Sequence, residues 1–132
     1  MKTSIYLTAF CLFSLSIFLA SKKLELINHG TAITVNENDR SYKFSASYNK
    51  EVTERVRAYI NNCLKPTVIV IPGNDYMDIT TILTDKTQFY IKESPGWLKI
   101  EFDKRKNSFG SYLRIKRICE GVKNLLAGNN AK

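Results

Sequence analysis

The sequence predicts an α+β domain: one antiparallel-rich sheet with two amphipathic helices packed on one face. Three observations predict it. Several short segments alternate apolar and polar side chains with a period of two, as strands with one wet face do. Two longer segments repeat apolar residues at helical spacing. Turn-forming residues punctuate the junctions between them. The order is β-β-β-α-β-β-β-β-α, and residues 22–128 form a single domain.

The first two strands, 24–27 and 31–35, flank Asn28-His29-Gly30, a hairpin turn with glycine at its tip. Asn36-Glu37-Asn38-Asp39 makes the next turn. Over 41–47, Tyr42, Phe44 and Ala46 share one face, and Ser41, Lys43, Ser45 and Ser47 share the other. The first helix follows, capped by Asn49, with Glu51 in its first turn. Val52, Val56, Tyr59, Ile60, Cys63 and Leu64 form its apolar stripe; Glu51, Glu54, Arg55 and Arg57 are placed off it. Pro66 stops this helix.

The apolar run 67–71 predicts a central strand. Three further strands, about 77–83, 87–92 and 97–103, form a meander through Asp85-Lys86 and Ser94-Pro95-Gly96. Phe89 and Ile91 must share a face with Ile100 and Phe102, since side chains alternate. Pairing Ile91 with Ile100 then sets Lys92 opposite Lys99 and Tyr90 opposite Glu101. The Pro-Gly pair suits a tight two-residue hairpin poorly, because its usual turn twists against the strands. The second helix starts near Ser108 and ends before Gly128. Its stripe runs through Tyr112, Ile115, Ile118, Cys119, Val122, Leu125 and Leu126, with Gly121 inside it. Residues 129–132 form a frayed tail.

Lys2 precedes an uncharged run from Thr3 to Ala20, so residues 1–20 read as a signal peptide, alternatively as an N-terminal membrane anchor. The expected location is secreted or periplasmic, or membrane-anchored if the segment is retained. Two cysteines remain beyond it. In an exported domain Cys63 and Cys119 suit one disulfide, which would stabilise by about 4 kcal/mol; on apolar helix faces they equally suit buried thiols.

The chain has 132 residues, 44% of them hydrophobic, and a net charge of +8. It is too apolar for a disordered chain and too short for a multi-domain enzyme. Residues 85–132 hold eleven basic and five acidic side chains, so the surplus gathers in the C-terminal part. An anionic partner is expected there, an acidic protein, polysaccharide or lipid headgroup ahead of nucleic acid. Lys104, Arg105, Lys106, Asn107 and Ser108 lead into a helix start, where free N–H groups and the helix dipole already favour an anion, and Arg114 lies within two turns. On the sheet face opposite the helices, Tyr90, Lys92, Trp97 and Lys99 place aromatic rings among cations, an arrangement that binds bases or sugars and equally stabilises a sheet by cross-strand packing.

No catalytic motif stands out. The single histidine, His29, has no partner at metal-ligand spacing, so neither a metal site nor a cofactor is expected. Asp75 and Asp78 are the closest acid pair. The sequence therefore predicts a small exported, non-catalytic binding or accessory module. The alternatives are a hydrolase-like enzyme using His29 with Asp75 or Asp78, and a membrane-tethered structural protein.

Overall fold

The computed structural model describes residues 22–28, 30–69 and 75–130. Strands β1 (Lys22–Asn28), β2 (Thr31–Glu37) and β3 (Ser41–Ser47) precede helix α1 (Thr53–Leu64). Strands β4 (Met77–Ile82), β5 (Gln88–Ser94) and β6 (Trp97–Asp103) precede helix α2 (Phe109–Asn130). The six strands form one antiparallel sheet in the order β1-β2-β3-β6-β5-β4. Each half is a meander of neighbours in sequence. The two halves join along β3 and β6, where Tyr42 faces Phe102, Phe44 faces Ile100 and Ala46 faces Leu98.

Those six side chains are buried, and so are Ile33, Phe89 and Ile91 in the flanking strands. Val56, Ile60 and Leu64 of α1 and Ile115, Cys119, Val122 and Leu126 of α2 complete the same cluster. Because one alternate set of strand positions meets both apolar stripes, both helices lie on one face and the other face meets solvent. Full burial of each such aliphatic or aromatic side chain contributes about 1.5–3 kcal/mol.

The turns show how local chemistry sets the register. Asn28 pairs with Thr31, so only two residues close the first hairpin, and Gly30 takes a φ of +83° that a side chain would resist. Between β2 and β3 the Asn38 carboxamide accepts from the N–H groups of Arg40 and Ser41, at 2.8 and 2.9 Å. Asn49 accepts from Glu51 N–H at 3.2 Å and opens a short 3₁₀ turn, Lys50–Val52, that leads into α1. Between β4 and β5 the Asp85 carboxylate accepts from Thr87 N–H at 3.0 Å.

The β5–β6 register matches the parity argument: Ile91 faces Ile100, Lys92 faces Lys99 and Tyr90 faces Glu101. The turn itself differs from expectation. Ser94 pairs with Trp97, so Pro95 and Gly96 do form a two-residue loop. Outside contacts hold it in place. Gly96 N–H donates to Thr53 Oγ1 at 2.9 Å, and its carbonyl accepts from Tyr48 N–H at 2.9 Å. Gly96 has φ +80°, and a Cβ there would sit 2.8 Å from the Tyr48 carbonyl.

Other expectations change. Residues 67–69 form no strand, and Val70 and Ile71 lie outside the described residues. Ile69 N–H is instead held by the Asn61 side chain at 3.3 Å, so this stretch runs along α1. Helix α2 continues through Gly128 to Asn130, because Gly128 does not take the positive φ that ends helices. Cys63 and Cys119 are unbonded thiols, Cys63 half-buried and Cys119 buried; burial raises the Cys119 pKa. Residues 1–20 and 131–132 and His29 lie outside the described residues. Among the described residues no helix is long and apolar enough to cross a membrane.

Gly121 explains the closeness of the helices. A Cβ there would overlap the Tyr59 hydroxyl at 1.6 Å. Tyr59 of α1 therefore lies across α2 at a position without a side chain. Further along, Arg114 Nη2 of α2 reaches the Cys63 carbonyl of α1 at 3.4 Å.

Arg57 is buried, not off the stripe. Its Nε donates to Glu93 Oε1 at 2.9 Å, with side-chain exposures of 8% and 1%. Glu93 continues the inward phase of Phe89 and Ile91 at the end of β5. Arg57 Nη1 also reaches the exposed Glu54 at 2.8 Å. The pair joins α1 to the sheet beside the Pro95-Gly96 turn.

Candidate anion-binding face

The basic stretch before α2 does not form one cluster. Lys104, at the start of a 3₁₀ turn (Lys104–Lys106), donates to Glu37 Oε2 at 2.9 Å and to the Asn38 carbonyl at 2.8 Å. Arg105 folds back on Asp103, with Nε 3.2 Å from Oδ1. Lys106 is exposed and forms no ion pair among the described residues. Arg114 points elsewhere, to Asp85 Oδ2 at 2.7 Å.

Asn107 and Ser108 are occupied by structure. The Asn107 carboxamide accepts from Gln88 N–H at 2.8 Å and donates to the carbonyls of Gln88 and Asp103, at 3.0 and 2.8 Å. It clamps the start of β5 to the end of β6. Ser108 Oγ accepts from Ser111 N–H at 3.1 Å, capping α2. Ser111 in turn accepts from the buried Thr87 hydroxyl at 2.7 Å. The donors expected to receive an anion are thus partly filled by the chain itself. Ser108→Ala should lower stability by about 1 kcal/mol in denaturant unfolding; an unchanged midpoint would show that the cap carries no weight.

Lys104 belongs to a separate cluster on the helix side. Tyr112 OH donates to Glu37 Oε2 through a very short bond, and Lys116 Nζ lies 3.4 Å from the Tyr112 oxygen. Lys104 sits over the Tyr112 ring, 4.6 Å from its centroid. Burial raises the Glu37 pKa, but the bonds from Tyr112 and Lys104 outweigh it, so the carboxyl is held below its ordinary value. A depressed folded pKa gives stability that is present above about pH 4.5 and lost as pH falls through the folded value. Glu37→Gln should therefore reduce the loss of stability between pH 5 and pH 3. An identical acid profile for variant and parent would exclude this role.

The sheet face opposite the helices holds the other candidates. Lys92 and Lys99 face each other, and each turns to a different partner. Lys92 lies 4.0 Å from Asp78 and over the rings of Tyr76 and Trp97, at 5.8 and 5.9 Å. Lys99 pairs with Glu101 at 3.0 Å. The like-charge opposition is thereby relieved without a ligand. The Tyr90 hydroxyl donates to Asp78, which pushes its pKa up to about 12 and holds the Asp78 carboxyl below its ordinary value. Asp78, one of the two candidate acids, is committed to this network.

Sequence reasoning missed the concave part of this face. A groove of about 450 Å³ opens where β3, β6 and β5 meet the 3₁₀ turn. Arg40, Lys43, Arg105 and Lys106 supply its cations, Glu101 and Asp103 its acids, and Tyr90 part of its wall. Both acids are already paired, with Lys99 and Arg105. Arg40, Lys43 and Lys106 are exposed and form no ion pair among the described residues. The pairing of Ser41 with Asp103 sets the β2–β3 turn beside the basic turn, and period-two patterning does not show which distant strands pair. No cluster of metal-ligating side chains occurs among the described residues. No protein-family model, curated protein or solved structure matches the chain.

Proposed function

We propose that the chain is a small exported, non-catalytic binding or accessory module that engages an anionic partner through this groove. Residues 1–20 serve as its export signal in this reading. The observation that carries it is the set of three exposed cations, Arg40, Lys43 and Lys106, that line one concavity and form no ion pair among the described residues. Elsewhere on the molecule Lys104, Arg114 and Lys99 are neutralised by neighbours. A concave surface with surplus cations raises the local concentration of anions and steers them inward. The partner class is an acidic protein, polysaccharide or lipid headgroup, ahead of nucleic acid.

The test compares two variants of equal net charge. Arg40→Glu/Lys106→Glu alters the groove; Lys65→Glu/Arg117→Glu alters exposed positions away from it. On a sulfated anionic matrix the groove variant should elute at clearly lower salt, and the control close to the parent. Equal shifts for both variants would mean that only bulk charge matters.

A further inference from the structure

Among the described residues five large hydrophobic side chains are exposed, and three of them follow one another along the outer strand β4. Tyr76, immediately before the strand, is 56% exposed; Ile79 and Ile82 within it are 40% and 66% exposed.

The inner side of β4 is occupied. Leu83 N–H donates to the Thr87 carbonyl at 2.8 Å, and β4 pairs with β5 in that same register, from Met77–Glu93 to Ile82–Gln88. Backbone groups alternate sides along a strand, so Met77, Ile79 and Thr81 bond to β5. Asp78, Thr80 and Ile82 turn theirs outward, where no described strand pairs with them. Sheet edges are ordinarily guarded by lysine, proline or a bulge. β4 has none of these: it reads MDITTI, and its register with β5 is unbroken. Its one charge, Asp78, is drawn back by the Tyr76 hydroxyl at 3.2 Å and by Lys92 of β5 at 4.0 Å.

We infer that β4 pairs antiparallel with β4 of a second copy, joining two sheets into one. The inference is independent of the anion-binding reading. The occupant follows from the strand's own sequence. A two-fold axis perpendicular to the sheet keeps the faces in common, so opposed residues share the same parity. An axis at Asp78 sets two carboxylates against each other, which is unfavourable. An axis at Thr80 sets Asp78 against Ile82 and Tyr76 against Thr84. An axis at Ile79 sets Ile79 against its own copy, Tyr76 against Ile82 and Asp78 against Thr80. Each exposed apolar side chain then meets another, and the carboxylate meets a hydroxyl. The outward backbone groups of Asp78 and Thr80 also meet each other. A strand of another protein would have to supply this complement; a second copy carries it already. The pairing closes after two copies, with both helix layers on one side and both open faces on the other.

Sedimentation velocity on the purified chain should show a monomer–dimer equilibrium that shifts with loading concentration. Thr80→Pro removes an outward N–H and spares the bonds to β5. Ile79→Lys sets like charges face to face. Each should raise the dimer dissociation constant at least tenfold, with circular dichroism confirming the fold. Mild oxidation reads the register independently, with the parent chain as baseline. In Ile79→Cys the introduced thiols face each other within disulfide reach. In Ile82→Cys they lie about 20 Å apart along the strands. The first should cross-link at least tenfold faster. A monomer at every concentration, a dimer indifferent to both Thr80→Pro and Ile79→Lys, or faster closure at Ile82 would overturn the inference. Open-ended polymers would overturn it too, since they would mean that β4 meets β1 of the next copy.

Discussion

Replacing Arg57 by alanine is expected to destabilise the domain by about 3–5 kcal/mol, the largest effect of any single charge removal. Glu93 is 1% exposed and would be left in the core without its counter-charge. Solvent hardly reaches it, and among the described residues Arg57 Nε is its hydrogen-bonded side-chain partner. The loss is a penalty for an unpaired charge, not a measure of how much the pair adds. Arg57→Met/Glu93→Leu separates the two. With both charges gone and apolar volume kept, stability should return to the parent value or exceed it. Among the described residues, Arg57 Nη2 and the Tyr48 hydroxyl lie buried without hydrogen-bond partners, and removing the unsatisfied Arg57 nitrogen favours the apolar replacement further. Urea unfolding followed by Trp97 emission measures all three chains. A loss below about 1 kcal/mol for Arg57→Ala, or a double variant as weak as the single, would refute the account.

Gly121→Ala sets two effects against each other. Alanine favours a helix interior by about 1 kcal/mol over glycine. Overpacking opposes it, at about 1–3 kcal/mol. The new Cβ would lie 1.6 Å from the Tyr59 oxygen and 2.4 Å from its ring carbon Cζ, so a rigid ring must move. The clash should win, with a net loss of up to about 2 kcal/mol. In a Tyr59→Ala background the obstacle is gone and the same substitution should become stabilising. That reversal of sign is the test: if Gly121→Ala acts alike in both backgrounds, the helices do not meet as described.

The sheet was legible where one face is buried. Period-two alternation fixed the parity of the β5–β6 register, since a one-residue slip of β6 would expose Leu98, Ile100 and Phe102 together. Both helical stripes were legible for the same reason. The apolar run 67–71 was not, because an unbroken stretch has no period and reads as a buried strand wherever it lies.

The candidate site was less legible, and the reason is pairing. Lys104, Arg105 and Lys106 are adjacent in sequence, yet each meets a different environment: Glu37, Asp103 and open solvent. Asn107 resembled an anion donor and is a backbone clamp. Arg40 and Lys43 drew no notice because their neighbours in the groove come from β6 and the turn after it. The Arg57–Glu93 pair did leave a signal. Glu93 is in phase with Phe89 and Ile91, and Arg57 precedes Ile60 and Leu64 by three and seven positions, on the same helix face. Its charge argued for water, and the spacing argued for the interior; the spacing was right.

The seam between β3 and β6 bears on how quickly the chain reaches its native state. Within each meander, partners lie a few positions apart and can find each other early. At the seam, residues numbered 41–47 must meet residues numbered 97–103. Bringing such distant partners together confines a long stretch of chain before any reward arrives. Assembly of two preformed half-sheets should therefore limit the folding rate, and Phe44, Ile100 and Leu98 would be organised last.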